Sequence, residues 1–156
     1  MAAATGQCPN ALRQNPPAFS FGLIQVKTRP PGLCDGIGVS EKPLIEAGRE
    51  KILSLAQETR FAPNGIVSRT LLRTAHSRVV LFGFAEGQEL SEHTSTQHAL
   101  IEILSGECEF FLAGQPHPLK AGDLLYMPPN LAHAVQATKQ FSMLLTLFKP
   151  EQPGQT

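Results

Sequence analysis

Two histidines, His93 and His133, stand where strand-like runs meet turns, each a fixed distance behind a glycine. The first stretch reads Gly87, five residues, His93, Thr94 and Ser95, and closes on Gly106 after an apolar run. The second reads Gly122, five residues, Pro128, Pro129, Asn130 and two residues to His133. Neutral imidazole is a ligand for divalent metals and a hydrogen-bond acceptor for small polar molecules. Taken singly, each histidine also fits a buried ring bonded to a backbone carbonyl.

Other chemistry-bearing residues give weaker signals. Cys108 alternates with Phe110 and Leu112 while Glu107 and Glu109 take the opposite face, so its thiol points inward, away from the electropositive neighbours that would activate it. Tyr126 lies between apolar residues that leave its facing open, and His76 and His117 read as loop or edge residues at the surface. No glycine-rich phosphate loop, nucleophile elbow or paired-cysteine motif is present.

In order and spacing the two histidine stretches resemble the paired motifs of the cupin superfamily, in particular its small RmlC-like, type-2 members. The resemblance implies an all-β double-stranded β-helix, a jelly-roll barrel, with a metal or ligand pocket inside. The family's first motif carries two histidines around one residue and then a glutamate or glutamine, and its second motif carries a third histidine. His93 matches the first of these and His133 the third; the second falls on Ser95 and the carboxylate on Ala99. The glycine of the second motif is Asn130 here, and its closing asparagine is Ala137. The implied metal site keeps His93 and His133 as ligands for a zinc, iron, manganese or nickel ion and lacks the other two.

With Ala99 at a ligand position, Gln97, Ala99, Ile101 and Ile103 form the interior face of their strand, and His98 points outward. The implied pocket is lined by His93, Ser95, Gln97, Ile101, Cys108, Phe110 and His133, with Gln97 as an oxygen ligand or substrate contact. The function implied is binding of a small molecule in the barrel beside a two-histidine site, with no reaction assigned. The alternative is a metal-dependent enzyme of dioxygenase or isomerase type, with His93 and His133 as ligands.

Strands must position these residues. Turn residues from Pro63 to Gly65 open a series of short apolar runs: Ile66 to Thr74, Arg78 to Ala85, Gln97 to Leu104, Glu107 to Leu112, around Pro118 to Leu119, Leu124 to Met127, His133 to Ala137 and Phe141 to Phe148. Ile52, Leu55, Ala56 and Thr59 are spaced for a short amphipathic helix within Glu46 to Thr59, packed outside the barrel. Prolines and glycines crowd the N-terminal part, which reads as a flexible arm over 1–48, ahead of the jelly-roll domain at 49–150 and a tail at 151–156. Within the arm, Phe19 to Val26 is a candidate edge strand.

With 156 residues and no net charge, the chain suits one domain and offers no global field to attract nucleic acid or an anionic membrane. Three cysteines form no paired framework, and the N-terminus lacks the basic and apolar regions of a secretory signal, so a cytoplasmic protein is expected. Charge is unevenly placed. Arg60, Arg69, Arg73 and Arg78 share a stretch without acids, whereas Glu86 to Glu109 holds six glutamates and no Lys or Arg. Such patches, with Leu100 and Leu104 on an outward face, suit a homodimer. No motif accompanies the arginines to mark an anion site.

Overall fold

Alternation of apolar and polar residues, punctuated by glycine and proline, folds this chain as two antiparallel sheets. The computed structural model describes residues 42–149. In chain order the elements are helix α1 (Leu55–Glu58) and strands β1 (Ile66–Arg73), β2 (Ser77–Phe84), β3 (Glu89–His93), β4 (His98–Ser105), β5 (Glu107–Leu112), β6 (Gln115–Lys120), β7 (Leu124–Met127), β8 (His133–Gln136) and β9 (Phe141–Phe148). One sheet has the order β1-β2-β9-β4-β7 and the other β3-β8-β5-β6. This is the expected all-β jelly roll.

The inward face of each strand carries the core. On β4, Ala99, Ile101 and Ile103 are buried while Glu102 is exposed; on β5, Cys108 and Phe110 are buried and Glu107 is exposed. Phe84 and Phe141, both fully buried, stack with ring centroids 4.5 Å apart where β2 pairs with β9. Pro116 and Pro118 sit on β6, an edge strand where a missing ladder donor costs little.

Three elements differ from expectation. The helix shrinks to Leu55–Glu58, because Gly48 takes a φ of +97° and the segment up to Ser54 stays irregular. The short helix does pack outside: the Arg69 guanidinium donates to the Glu58 carbonyl at 2.9 Å and pairs with the Glu58 carboxylate, tying α1 to β1. Strand β3 has no apolar period in the sequence, since only Leu90 along it is buried and polar residues surround it. Finally, the backbone N–H groups of Leu44 and Ile45 donate to the carbonyls of Thr70 and Leu71 at 3.1 and 2.8 Å. Those two residues, within the 1–48 arm, lie hydrogen-bonded along β1. Phe19 to Val26 and the 151–156 tail fall outside the described residues. Among the described residues, no helix is long and apolar enough to cross a membrane.

Candidate functional site

Register brings the two histidines together. Where β3 pairs with β8, His93 lies directly opposite His133, and the rings sit 4.2 Å apart between centroids, tilted by 54°. His93 Nδ1 is 2.8 Å from the Ser91 carbonyl and His133 Nδ1 is 2.8 Å from the Leu131 carbonyl. A carbonyl oxygen can only accept, so each Nδ1 carries the proton and donates it. Each neutral ring is left with its lone pair on Nε2.

The opposing wall follows from the ladders of the larger sheet. The connections β3 to β4 (94–97) and β7 to β8 (128–132) both leave from one end of the barrel. The inward row at that end runs Met127, Ala99, Leu147, Arg78, Arg73 across the five strands. On the smaller sheet the matching row is His93, His133 and Leu112. Both connections are fastened at this mouth: the Asn130 N–H donates to the Ser95 carbonyl at 2.6 Å, with Asn130 in the left-handed region at φ +65°. Ser95 Oγ accepts from the Gln97 N–H at 3.1 Å, so this hydroxyl shapes its own turn.

A family profile described as "Cupin domain" matches residues 80–148, the span that holds both histidine strands and the opposing wall. The chain belongs to the cupin superfamily. Solved structures similar to this cupin include a conserved protein of unknown function from Streptococcus pyogenes, 30% identical, with 72% of this chain and 99% of that one covered at a TM-score of 0.63. A cupin superfamily protein from Desulfitobacterium hafniense is 28% identical over 65% of this chain and 94% of its own, at a TM-score of 0.61. An uncharacterized protein of Aquifex aeolicus is 28% identical over 71 residues, which is 46% of this chain and 59% of that relative's length.

The cupin barrel distributes the remaining candidates unevenly. Ala99 lies in the inward row between Met127 and Leu147 and is 3% exposed. Ile101, Cys108 and Phe110 lie one or two rows further from the mouth, inside the sealed hydrophobic cluster and at most 2% exposed. Burial, with Asp123 adding to it, pushes the Cys108 thiol up to about 12, so it stays protonated and inert. His98 points outward as parity demands: its Nδ1 is 2.7 Å from the Tyr126 hydroxyl, and its ring stacks on Phe148 with centroids 5.1 Å apart. Tyr126 therefore belongs to the outer face, and His76 and His117 are exposed.

The donor set of the cupin mouth does not fit a self-contained metal centre. A catalytic site takes about three protein ligands, and here only two imidazoles lie together, with an alanine and a serine committed to its turn at the other two motif positions. Among the described residues, no three His, Cys, Asp or Glu side chains gather to hold a metal ion. Sequence reasoning missed Arg78 as part of this wall. The signal was available, because Arg78 shares parity with Val80, Phe82 and Phe84, all inward.

Burial holds His133 below the ordinary imidazole value; the nearby His93 acts in the same sense, and the hydrogen bond to Leu131 opposes it. The unfolded chain therefore takes up a proton at His133 near 6.5, before the folded protein does. Stability present above that value is lost as pH falls through it toward the folded pKa. Between about pH 7 and about pH 5, wild type is expected to lose more unfolding free energy than His133→Asn, as read by urea melts at each pH. Equal acid slopes would show that the ring is solvated.

Proposed function

We propose that this cupin binds a small organic molecule at the layer of His93 and His133, without a metal centre built by the chain alone. The observation that carries the reading is the pair of Nδ1 tethers, which leave two Nε2 acceptors on neighbouring rings at the barrel end where the inward row also holds Met127, Ala99 and Leu147. Such a mixture of a few fixed polar groups and apolar surface is what small-molecule sites use. Native mass spectrometry of untagged protein is expected to reveal a non-covalent adduct of small organic mass. The adduct should vanish in His93→Ala, His133→Ala; its persistence there places the ligand elsewhere.

A metal-dependent enzyme of dioxygenase or isomerase type is the second reading. The same tethers favour it, because metal-ligating imidazoles commonly donate their other nitrogen to a carbonyl. Elemental analysis of untagged protein separates the two readings. A stoichiometric metal in wild type moves the enzyme ahead.

We further infer a homodimer through the outer face of the larger sheet. Leu124 is 64% and Tyr126 51% exposed there, beside half-buried Leu100 and Thr146. Arg69 is already paired to Glu58 within the chain, so apolar contact rather than the arginine strand supplies the attraction. Light scattering at micromolar concentration is expected to give twice the chain mass, and Leu124→Asp, Tyr126→Asp to give a monomer. A monomeric wild type removes the idea.

A further inference from the structure

Arg78 carries a charge that the described residues leave unanswered. Its Nε–H is buried without a hydrogen-bond partner. Its Nη2 group donates to the Thr70 hydroxyl at 3.1 Å, and Thr70 is itself 3% exposed. None of the ion pairs among the described residues involves Arg78; they join Arg49 to Glu46, Arg69 to Glu58 and Lys139 to Glu107. Arg73, opposite Arg78 on β1, adds a second positive charge. Burial, and then the Arg73 charge, lower the tendency of the guanidinium to hold its proton.

The position of this charge is what gives it meaning. Arg78 lies in the inward row at the mouth, next to Leu147 on β9, with Ala99 and Met127 beyond. Only residues 85–88 separate β2 from β3, so the edge of the small sheet that carries His93 follows directly from the β2 side of the large one, and the antiparallel return brings His93 to the Arg78 end. The mouth thus has a guanidinium on one wall and two imidazoles with free Nε2 lone pairs on the other. A guanidinium stays charged and can only donate, and this half-buried one, with its Nε–H buried and unpaired, is well placed for an anion to answer it.

We infer that Arg78 is the anchor for the carboxylate of a small organic acid, bound in the mouth with its hydroxyl or amine donating to His93 or His133. The inference rests on the small-molecule reading above and names the class of ligand. Guanidinium–carboxylate bonds are charge-assisted and geometrically selective, so the acid is discriminated strongly from its neutral amide.

The test uses the full chain with 3-hydroxybutyrate, butyrate and 3-hydroxybutyramide as probes. Binding is followed by the Arg78 Nε–H resonance, assigned by its absence in Arg78→Gln, and by thermal shift. The resonance is expected to move saturably with both acids. The amide, and Arg78→Gln with either acid, should bind at least about tenfold more weakly. Glutamine keeps a donor for Thr70; if that variant fails to fold, the acid-against-amide comparison on wild type decides alone. Equal binding of acid and amide, or no saturable binding of either acid, overturns the proposal. So does a Glu151→Gln substitution that by itself shifts the Arg78 resonance as the acids do, since the counter-charge then lies in the chain's own tail. Acid binding that survives in His93→Ala, His133→Ala keeps the Arg78 anchor and removes the histidine reading. A neutral adduct lost from that double variant does the reverse.

Discussion

A Ser95→His, Ala99→Glu variant is expected to take up one equivalent of zinc, iron or manganese. Ala99 lies in the inward row of β4 beside Met127, and Ser95 sits at the connection whose carbonyl is bonded to the Asn130 N–H. Three imidazoles and a carboxylate at one barrel mouth make a donor set of the size and charge that these ions need. The tethers on His93 and His133 already present Nε2, so the backbone need not move to supply half of it. A metal binding only the folded state at a hundredfold excess over its Kd adds about 2.7 kcal/mol. For a domain of this size the melting temperature should rise on the order of 10 °C. Elemental analysis and thermal shift, with and without chelator, read the outcome beside wild type. If neither protein binds, the two rings do not converge on a shared point. If wild type alone is already fully loaded, the donor count given above is wrong.

Gly106→Ala should cost a substantial part of the margin by which the barrel stays folded. Gly106 turns the β4–β5 connection at φ +76°, and a Cβ built there would come 2.1 Å from the Gln140 carbonyl oxygen and 2.8 Å from Cα and Cβ of Phe141. Those atoms are mostly backbone, and Phe141 is wholly buried, so nothing flexible can give way. Left-handed strain and displaced packing together amount to about 3 to 4 kcal/mol, against about 5 to 15 for a typical domain. The expected fall in melting temperature is on the order of 15 °C or more. Gly122→Ala is the control: Gly122 has φ +93°, but a methyl added there meets nothing within 4 Å, so only the backbone strain of about 1 kcal/mol applies. A similar loss in both variants would mean that the contact at Phe141 relaxes freely.

How far the sequence could be read depended on how many faces of each strand are buried. β5, β7 and β9 appear at the expected residues, because clear turns bound them. The outward facing of His98 follows from parity once the motif match places Ala99 inside, the inward facing of Cys108 from parity alone, and both hold. β3 escaped because an edge strand with one buried residue leaves no period to detect. Apolar spacing carries the helix back to Glu46 across Gly48, a poor helix former that here turns left-handed. At the site, the motifs located His93 and His133, but the depth of Ile101, Cys108 and Phe110 is a property of two sheets closing on each other. Arg78 was passed over for a related reason. A charged residue at a strand end is ordinarily solvent-facing, yet parity with Val80, Phe82 and Phe84 and the ladder with Leu147 both place it on the inner row.

The pairing of His98 with Tyr126 has an optical consequence. The chain has a single tyrosine and no tryptophan, so its intrinsic ultraviolet emission comes from Tyr126 above all, whose hydroxyl lies 2.7 Å from an imidazole nitrogen. Proton transfer from an excited phenol to such a neighbour quenches its light. Fluorescence from this protein is therefore a local gauge of the outer sheet face, brightening when His98 is protonated or displaced and staying dark to events among the phenylalanines of the core.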